Sequence, residues 1–340
     1  MKQLKHILLI GLLLIATTVH AQYSKDLLGD EYVNRTINMP DDYQGKVTCT
    51  LIKKVDTLHT DKAILYIHGY NDYFFQSQLG DSVTKHGINF YALDLRKYGR
   101  SYLPNQTRFY VKSLTEYFAD IDTALSIMQS EGNKEIILMA HSTGGLITPL
   151  YLNARPQSEV KALILNSPFL DMNLGGFMES VMIPIVSMIS PLFPNLVVSG
   201  AGKPGSASGY SQSLLQQYHG EWTYNTDWKL AASAPITAAW IGAIHKGQNT
   251  IHKGLKLNIP ILVMYSDKSL EETDEWNEGF MYADIVLDVN DIQKYGKKLG
   301  DKVTLKCIEG GMHDLILSPK QARDDAYHTI FSFIDKSVVW

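Results

Sequence analysis

Ser142, His313 and one of two aspartates, Asp267 or Asp284, are the side chains whose types and order suit nucleophilic catalysis. A serine hydroxyl attacks poorly until a base takes its proton. Imidazole is tuned for that near neutral pH, and a carboxylate can hold the ring in place. Ser142 lies in Ala140-His141-Ser142-Thr143-Gly144-Gly145, directly after the apolar run Ile136-Ile137-Leu138-Met139. A buried strand feeding a serine flanked by small residues, with a helical pattern following, reads as a strained strand-to-helix turn. That turn needs small neighbours at −2 and +2, which are Ala140 (where the usual form has glycine) and Gly144. His68-Gly69-Tyr70-Asn71 follows another apolar run, so the N–H groups of Tyr70 and Thr143 are the expected oxyanion donors. In Glu309-Gly310-Gly311-Met312-His313-Asp314, glycines allow a loop after the last strand to return His313 toward Ser142. A surface loop histidine is the competing reading, and the position after the last strand favours the base.

The acid is ambiguous from the residues alone. Asp267 sits at the immediate end of an apolar strand, in Tyr265-Ser266-Asp267-Lys268, whereas Asp284 lies further on, in Ala283-Asp284-Ile285-Val286-Leu287-Asp288. Either preserves the order serine, acid, histidine. Asp288 reads as the cap of a helix beginning near Asn290.

The elements that must position these residues alternate. Short apolar segments at 47–55, 63–67, 89–93, 135–139, 161–165, 259–265 and 302–308 read as strands. Helical spacing appears at 113–130 and 320–336, and Pro149 should cost the helix after Ser142 one hydrogen bond. Strands alternating with helices predict an α/β fold with a mostly parallel sheet covered on both faces, preceded by a lead-in over 22–44. In such a sheet, ligands bind at the carboxyl ends of the strands, which is where Ser142, Tyr70 and His313 fall.

The residues resemble the α/β-hydrolase superfamily, specifically its monoacylglycerol-lipase-like and serine-aminopeptidase-like branch. The matches are His68-Gly69, Asp94-Leu95-Arg96-Lys97-Tyr98-Gly99-Arg100-Ser101, the turn at Ser142, Asn166-Ser167-Pro168 and Gly311-Met312-His313-Asp314. The lipase-like members carry an Ala-Asp-x-x-x-Asp form around the acid. Ala283 to Asp288 fits that form and Asp267 does not, so the resemblance implies Asp284 as the acid, reached after an insertion over 270–282. It also implies a helical cap over the active site, giving a core over 22–169, a cap over 170–253 and a second core portion over 254–340.

Residues 1–21 read as a secretory signal peptide: Lys2 and Lys5, an apolar stretch over 7–15, then Val19-His20-Ala21. The apolar run is shorter than the ~20 residues a membrane-spanning helix needs. A secreted or periplasmic protein is the expectation. Without that segment the chain keeps 29 basic and 35 acidic side chains, a net charge of −6, which disfavours nucleic acid as a partner. Cys49 and Cys307 fall in separate strands and are expected as two buried, unbridged thiols.

Several further features have a plain structural reading beside a functional one. The stretch 174–198 is almost wholly apolar but broken by Glu179, Pro184, Pro191 and Pro194, which disfavours a membrane span. Buried cap helices are the favoured reading, with a transient lipid-touching face as the alternative. Gly202-Lys203-Pro204 lacks the Ser or Thr that a phosphate loop places after its lysine. Asp94 and Arg96 are expected to form a salt bridge under the site, and His141 to pack beneath the turn. Trp222, Tyr224, Trp228 and Trp240 suit cap core or an acyl pocket. His245 and His252 lack a metal-ligand pattern, and no metal or cofactor is implied. The expected reaction is hydrolysis of a small carboxylic ester, with a lipid-like or medium-chain acyl group favoured. The rivals are an amide or peptide hydrolase, for which Glu179 and Glu221 could bind an amine, and a binding protein that kept the fold without turnover.

Overall fold

The computed structural model describes residues 22–55, 58–175, 178–199, 206–273, 275–338 and 340, and not the side chain of Glu179. The signal-peptide reading over 1–21 and the Gly202-Lys203-Pro204 loop lie outside the described residues.

Eleven strands are described: β1 Ser24–Asp26, β2 Gly29–Asp42, β3 Gly45–Lys54, β4 Lys62–Ile67, β5 Asn89–Asp94, β6 Glu135–His141, β7 Val160–Asn166, β8 Val197–Ser199, β9 Ile236–Thr237, β10 Ile261–Ser266 and β11 Val303–Ile308. Nine form one sheet in the order β1-β2-β3-β5-β4-β6-β7-β10-β11. From β5 to β11 every neighbouring pair is parallel, while β1, β2 and β3 add an antiparallel flank. Eight α-helices accompany them: α1 Ser77–Lys85, α2 Phe118–Ser130, α3 Gly144–Ala154, α4 Ile183–Ile189, α5 Gly209–Leu214, α6 Ala238–His252, α7 Val289–Gly296 and α8 Lys320–Ser337.

Continuous apolar strands produce a sheet with a core on each side. Along β4, Ala63, Leu65 and Ile67 enter one hydrophobic cluster while Ile64 and Tyr66 enter the other. β6 divides the same way, with Ile136, Leu138 and Ala140 opposite Ile137 and Met139. This two-fold alternation with no polar face is what a sheet covered on both sides demands. Pro149 sits buried inside α3, as the sequence places it.

Four expectations need correction. The lead-in over 22–44 is not a bare approach to the fold but the β1–β2 pair, with β2 running fourteen residues. Its inward-outward pattern is irregular and its composition charged, so hydrophobic periodicity gave no signal. Polar pairs attach it instead: Lys97 to Asp42, and Arg100 in a fork to Asp26 at 2.7 Å for both bonds. Secondly, Asp94 does not pair with Arg96. Arg96 forks onto Asp120, and Asp94 accepts from Arg100 at 2.9 Å. Thirdly, both cysteines are free and distant in strand order, but only Cys49 is buried; Cys307 is exposed near the carboxyl end of the edge strand β11, where the consecutive residues Lys306 and Cys307, on opposite faces, are both open to solvent.

Between β7 and β10 the chain leaves the sheet and runs through α4, β8, α5, β9 and α6. β8 and β9 form a separate antiparallel pair. Here the expectation of buried cap helices also fails: Met188, Leu192 and Phe193 are 73%, 76% and 59% exposed. The prolines that exclude a membrane span also leave only short helical turns, and these present apolar side chains on both faces. No helix among the described residues is long and apolar enough to cross a membrane.

Arg100 is the bolt between flank and core, with its side chain and both partner carboxylates almost fully buried. Burial alone would raise the Asp26 pKa, but the Arg100 bonds and charge outweigh it and hold the carboxyl below its usual range. A lowered native pKa contributes stability above the unfolded value, and that contribution is lost as the pH falls through the native one. Arg100→Met, which strands two buried carboxylates, is therefore expected to cost about 3–5 kcal/mol in urea unfolding at neutral pH. The gap between wild type and variant should shrink as the pH falls through the lowered native pKa of Asp26, where its carboxyl protonates in the wild type as well. An undiminished gap in acid would show that the pair carries no linked stability.

Candidate active site

Strand register sets the level of the site. Ile67 pairs with Ala140, and His141 with Asn166, so the chain leaves β4, β6 and β7 at one edge. The sheet order also reverses at β4, because β5 lies on one side of it and β6 on the other. Crevices form at such reversals.

The turn after β6 has the strain its sequence implies. Ser142 adopts φ +50°, a left-handed conformation unfavourable for a residue with a Cβ. Two backbone bonds hold it there: Ser142 N–H donates to Asn166 O at 3.1 Å, and Phe169 N–H donates to Ser142 O at 2.9 Å. The +2 position must be glycine, since a Cβ on Gly144 would stand 2.5 Å from His68 O and 2.7 Å from Ile67 O.

His313 joins Ser142 to Asp284. Its Nε2 lies 3.0 Å from Ser142 Oγ and its Nδ1 lies 3.0 Å from Asp284 Oδ2. All three side chains are buried. The remaining oxygen of Asp284 accepts from the N–H groups of Val286 and Leu287 at 2.9 and 2.8 Å, which fixes the carboxylate in place. A hydroxyl, an imidazole and a buried carboxylate in one line can move a proton off the hydroxyl and stabilise the resulting imidazolium.

Of the two candidate aspartates, Asp284 is the one that meets His313, and backbone pairing explains how. Asp284 N–H donates to Lys268 O, and Leu270 N–H donates to Asp284 O, each at 3.0 Å. The excursion over 270–282 thus returns to the end of β10 before Asp284 is placed. Asp267 is exposed and does something else: its Oδ1 accepts from Gly310 N–H at 2.7 Å, bracing the loop that carries His313. Asp288 caps α7 through Asn290 N–H, as expected.

Tyr70 and Thr143 line the same cavity as Ser142. The Tyr70 side chain is occupied elsewhere, with its hydroxyl on Pro235 O at 2.8 Å and its ring 4.5 Å from that of Trp240. His68 lies beneath, accepting from Leu95 N–H at 3.1 Å and bonded through Nδ1 to Gly69 O. His141 packs below the turn as expected, its Nδ1 3.1 Å from Asn166 O, and burial pushes its pKa down.

The cavity at Ser142 has a volume of about 270 Å³ and is walled mainly by Phe169, Met172, Trp240, Ile241, Val286 and Leu287. Of the four aromatic residues read as cap core or pocket, only Trp240 lines it. Tyr224 is buried in the opposite core, and Trp222 and Trp228 pack against that core. Glu221 points away, paired with Arg323 on the surface. Among the described residues no group of three or more His, Cys, Asp or Glu side chains forms a metal site. His245 meets Asn249, and His252 meets Leu170 O.

Sequence reasoning missed two polar residues of the cavity, Asp72 and Lys229, which pair at 3.0 Å. The spacing from the His68-Gly69 motif could have flagged Asp72. Lys229 is brought in by a segment without periodic signal. It also missed the joint made by Asn166, whose side chain bonds Asp314 Oδ1 at 2.7 Å and Leu315 N–H at 3.1 Å.

The family pattern described as serine aminopeptidase, S33, matches residues 59–320. No curated protein matches the chain. Among solved structures, a soluble variant of monoglyceride lipase from Saccharomyces cerevisiae, in complex with a substrate analogue, is similar with a TM-score of 0.67 at 14% identity. The match covers 94% of this chain and 99% of that one. Monoacylglycerol lipase from Paleococcus ferrophilus gives 0.58 at 17% identity, covering 80% and 93%. Est1E from Butyrivibrio proteoclasticus, with ferulic acid bound, gives 0.55 at 13%, covering 88% and 98%. At such identities the likeness speaks for the fold.

The two aspartates make separable predictions. Asp284→Asn is expected to lower kcat/KM on any substrate the protein turns over by about 10³–10⁴-fold, since the imidazole loses its orienter. Asp267→Asn should stay within about tenfold of wild type, because only one loop contact is weakened. Steady-state kinetics on both variants decides, and the reverse ranking would transfer the role to Asp267.

Proposed function

The chain belongs to the serine aminopeptidase S33 family of α/β-hydrolases, and from that premise we propose that it is a serine carboxylic-ester hydrolase working through Ser142, His313 and Asp284. The observation that carries the reading is the unbroken pair of 3.0 Å contacts from Ser142 through His313 to Asp284 at the mouth of an apolar cavity. Ser142 Oγ attacks the acyl carbon as its proton passes to His313 Nε2. The N–H groups of Tyr70 and Thr143 receive the oxyanion, and the imidazolium, held by Asp284, protonates the departing alcohol. Water, activated by His313, then attacks the acyl-enzyme and releases the acid.

The apolar walls support a lipid-like or medium-chain acyl group, and the lipase and esterase neighbours point the same way. The segment 170–253 serves in this reading as a cap. Its exposed Met188, Leu192, Phe193 and Val197 suit transient contact with a lipid surface, from which such substrates would be drawn. Export to the periplasm or exterior is part of the proposal and rests on the sequence of residues 1–21. The family description gives the amide-hydrolase reading its one support. Against it, the one carboxylate among the described residues that line the cavity, Asp72, is paired with Lys229.

The test is a series of esters of rising acyl length beside one amide, with Ser142→Ala as the blank. Ester hydrolysis is expected to fall by about 10⁴–10⁶-fold in the variant, with an optimum at the acyl length that fills the cavity. Amide turnover without ester turnover would overturn the ester reading, and turnover that survives Ser142→Ala would overturn the nucleophile.

A further inference from the structure

Each residue from Tyr70 to Tyr73, the turn that follows His68-Gly69, is tied to one stretch outside the sheet. The Tyr70 hydroxyl donates to Pro235 O at 2.8 Å, and Lys229 Nζ donates to Asp72 Oδ1 at 3.0 Å. Asn225 N–H donates to the Tyr73 hydroxyl at 2.7 Å. Asn71 binds Leu230 twice, its Nδ2 donating to the carbonyl at 2.9 Å and its Oδ1 accepting the N–H at 2.8 Å. All four partners fall in 225–235, which holds neither helix nor strand. A stretch without regular structure must find partners for its backbone groups elsewhere, and the loop after β4 provides them.

Asn71 has a conformational role in that set. It adopts φ +49°, in the left-handed region that asparagine enters at less cost than most residues. Its amide meets the Leu230 backbone as a neighbouring strand would, with one donor and one acceptor on each side. The turn therefore cannot relax without breaking both bonds. The Asn71 side chain does not line the cavity, so it acts through its neighbour.

That neighbour is held from its other end as well. Leu95 N–H can only donate, so His68 Nε2 is the acceptor and the ring proton sits on Nδ1, which faces Gly69 O at 2.8 Å. Gly69 O and Tyr70 N–H belong to one planar trans peptide and point opposite ways, so a bond to the oxygen aims the N–H. The unit lies close against the turn at Ser142: a Cβ on Gly69 would stand 2.9 Å from Ser142 Cβ.

We propose that Asn71 is a positioning residue for ester hydrolysis: its paired bonds to Leu230 fix the left-handed turn that, together with His68, aims Tyr70 N–H at the oxyanion. The proposal rests on the ester-hydrolase reading above and makes the stretch 225–235 part of the oxyanion support. A donor fixed before the substrate arrives stabilises developing charge without reorganising. An ester carbonyl gains that charge only on attack, so a misaimed donor costs turnover rather than binding.

The experiment uses p-nitrophenyl esters from acetate to decanoate, with Ser142→Ala as the blank, and takes kcat and KM on the fastest. The inhibitor 1,1,1-trifluoroheptan-2-one, whose adduct with a serine carries an oxyanion, gives Ki. Asn71→Asp is isosteric but sets a carboxylate oxygen against Leu230 O, and Asn71→Gly keeps access to positive φ while losing both bonds. Each is expected to lower kcat about 10–100-fold with KM within about twofold, and to raise Ki by a similar factor. Tyr73→Phe removes a contact between the same two segments further along the loop and should leave Ki within about twofold. Ki unchanged in both Asn71 variants overturns the proposal whatever kcat does, since loss of folded protein lowers turnover but not the affinity of the folded fraction. Wild-type kinetics in Asn71→Gly overturns it by assigning the asparagine to its φ alone. An equal rise of Ki in Tyr73→Phe overturns it in favour of general adhesion between the two segments. In each of these cases Ser142-dependent turnover by the wild type leaves the hydrolase reading standing. Absence of such turnover across the whole ester series overturns both.

Discussion

Asn166 is the joint on which the rest of the site depends. Its carbonyl accepts the N–H of Ser142 and faces His141 Nδ1, while its side chain binds Asp314 and the Leu315 N–H. One fully buried residue at the end of β7 thereby ties the strained turn after β6 to the loop after β11. Ser142 and His313 come from segments 171 residues apart in the chain. A separation of 3.0 Å between such distant side chains survives only where each loop is bonded to a common rigid strand. Gln76 donates to Asp314 from another side at 3.3 Å, so the loop behind His313 is held by more than one element.

The sheet supplies that rigidity through its burial rather than through any special pairing. Strands β4, β6, β7 and β10 are apolar on both faces, so no register slip could leave one face in water and one in the core. What the parallel core lacks is protection of its flank. The β1–β2–β3 extension covers the side of β5: β3 brings buried apolar side chains, and buried ion pairs through Asp26 and Asp42 hold the outer strands β1 and β2.

Those two parts of the molecule were unequally legible in the amino-acid sequence. Continuous apolar runs, glycine-rich strand ends and the order serine, acid, histidine carry local physical signals, and Ser142, His313 and the parallel core were readable from them. The flank was not, because the positions that anchor it, Asp26 and Asp42, look like ordinary solvated charges until Arg100 and Lys97 are placed beside them. The place of Asp284 beside His313 was half-readable. Asp284 lies 18 residues beyond the end of β10, and only the backbone pairing with Lys268 and Leu270 shows that those residues close on themselves. Exposure in the 178–198 stretch ran opposite to expectation, since composition reports greasiness and not which greasy side chains find a neighbour.

The excursion over 270–282 is stapled at its two ends by those same backbone bonds and leans on α5 through Glu272 against Gly209 and Trp276 against Ser213. Its length is thus uncoupled from the placement of Asp284. Closing a loop twice as long costs only about 0.6 kcal/mol more in chain entropy. The stretch is a place where descendants of this chain can gain or lose residues, and so reshape the packing against α5, without disturbing the contact between Asp284 and His313. Diversification of substrate range has, in this architecture, a hinge point that the reacting atoms never feel.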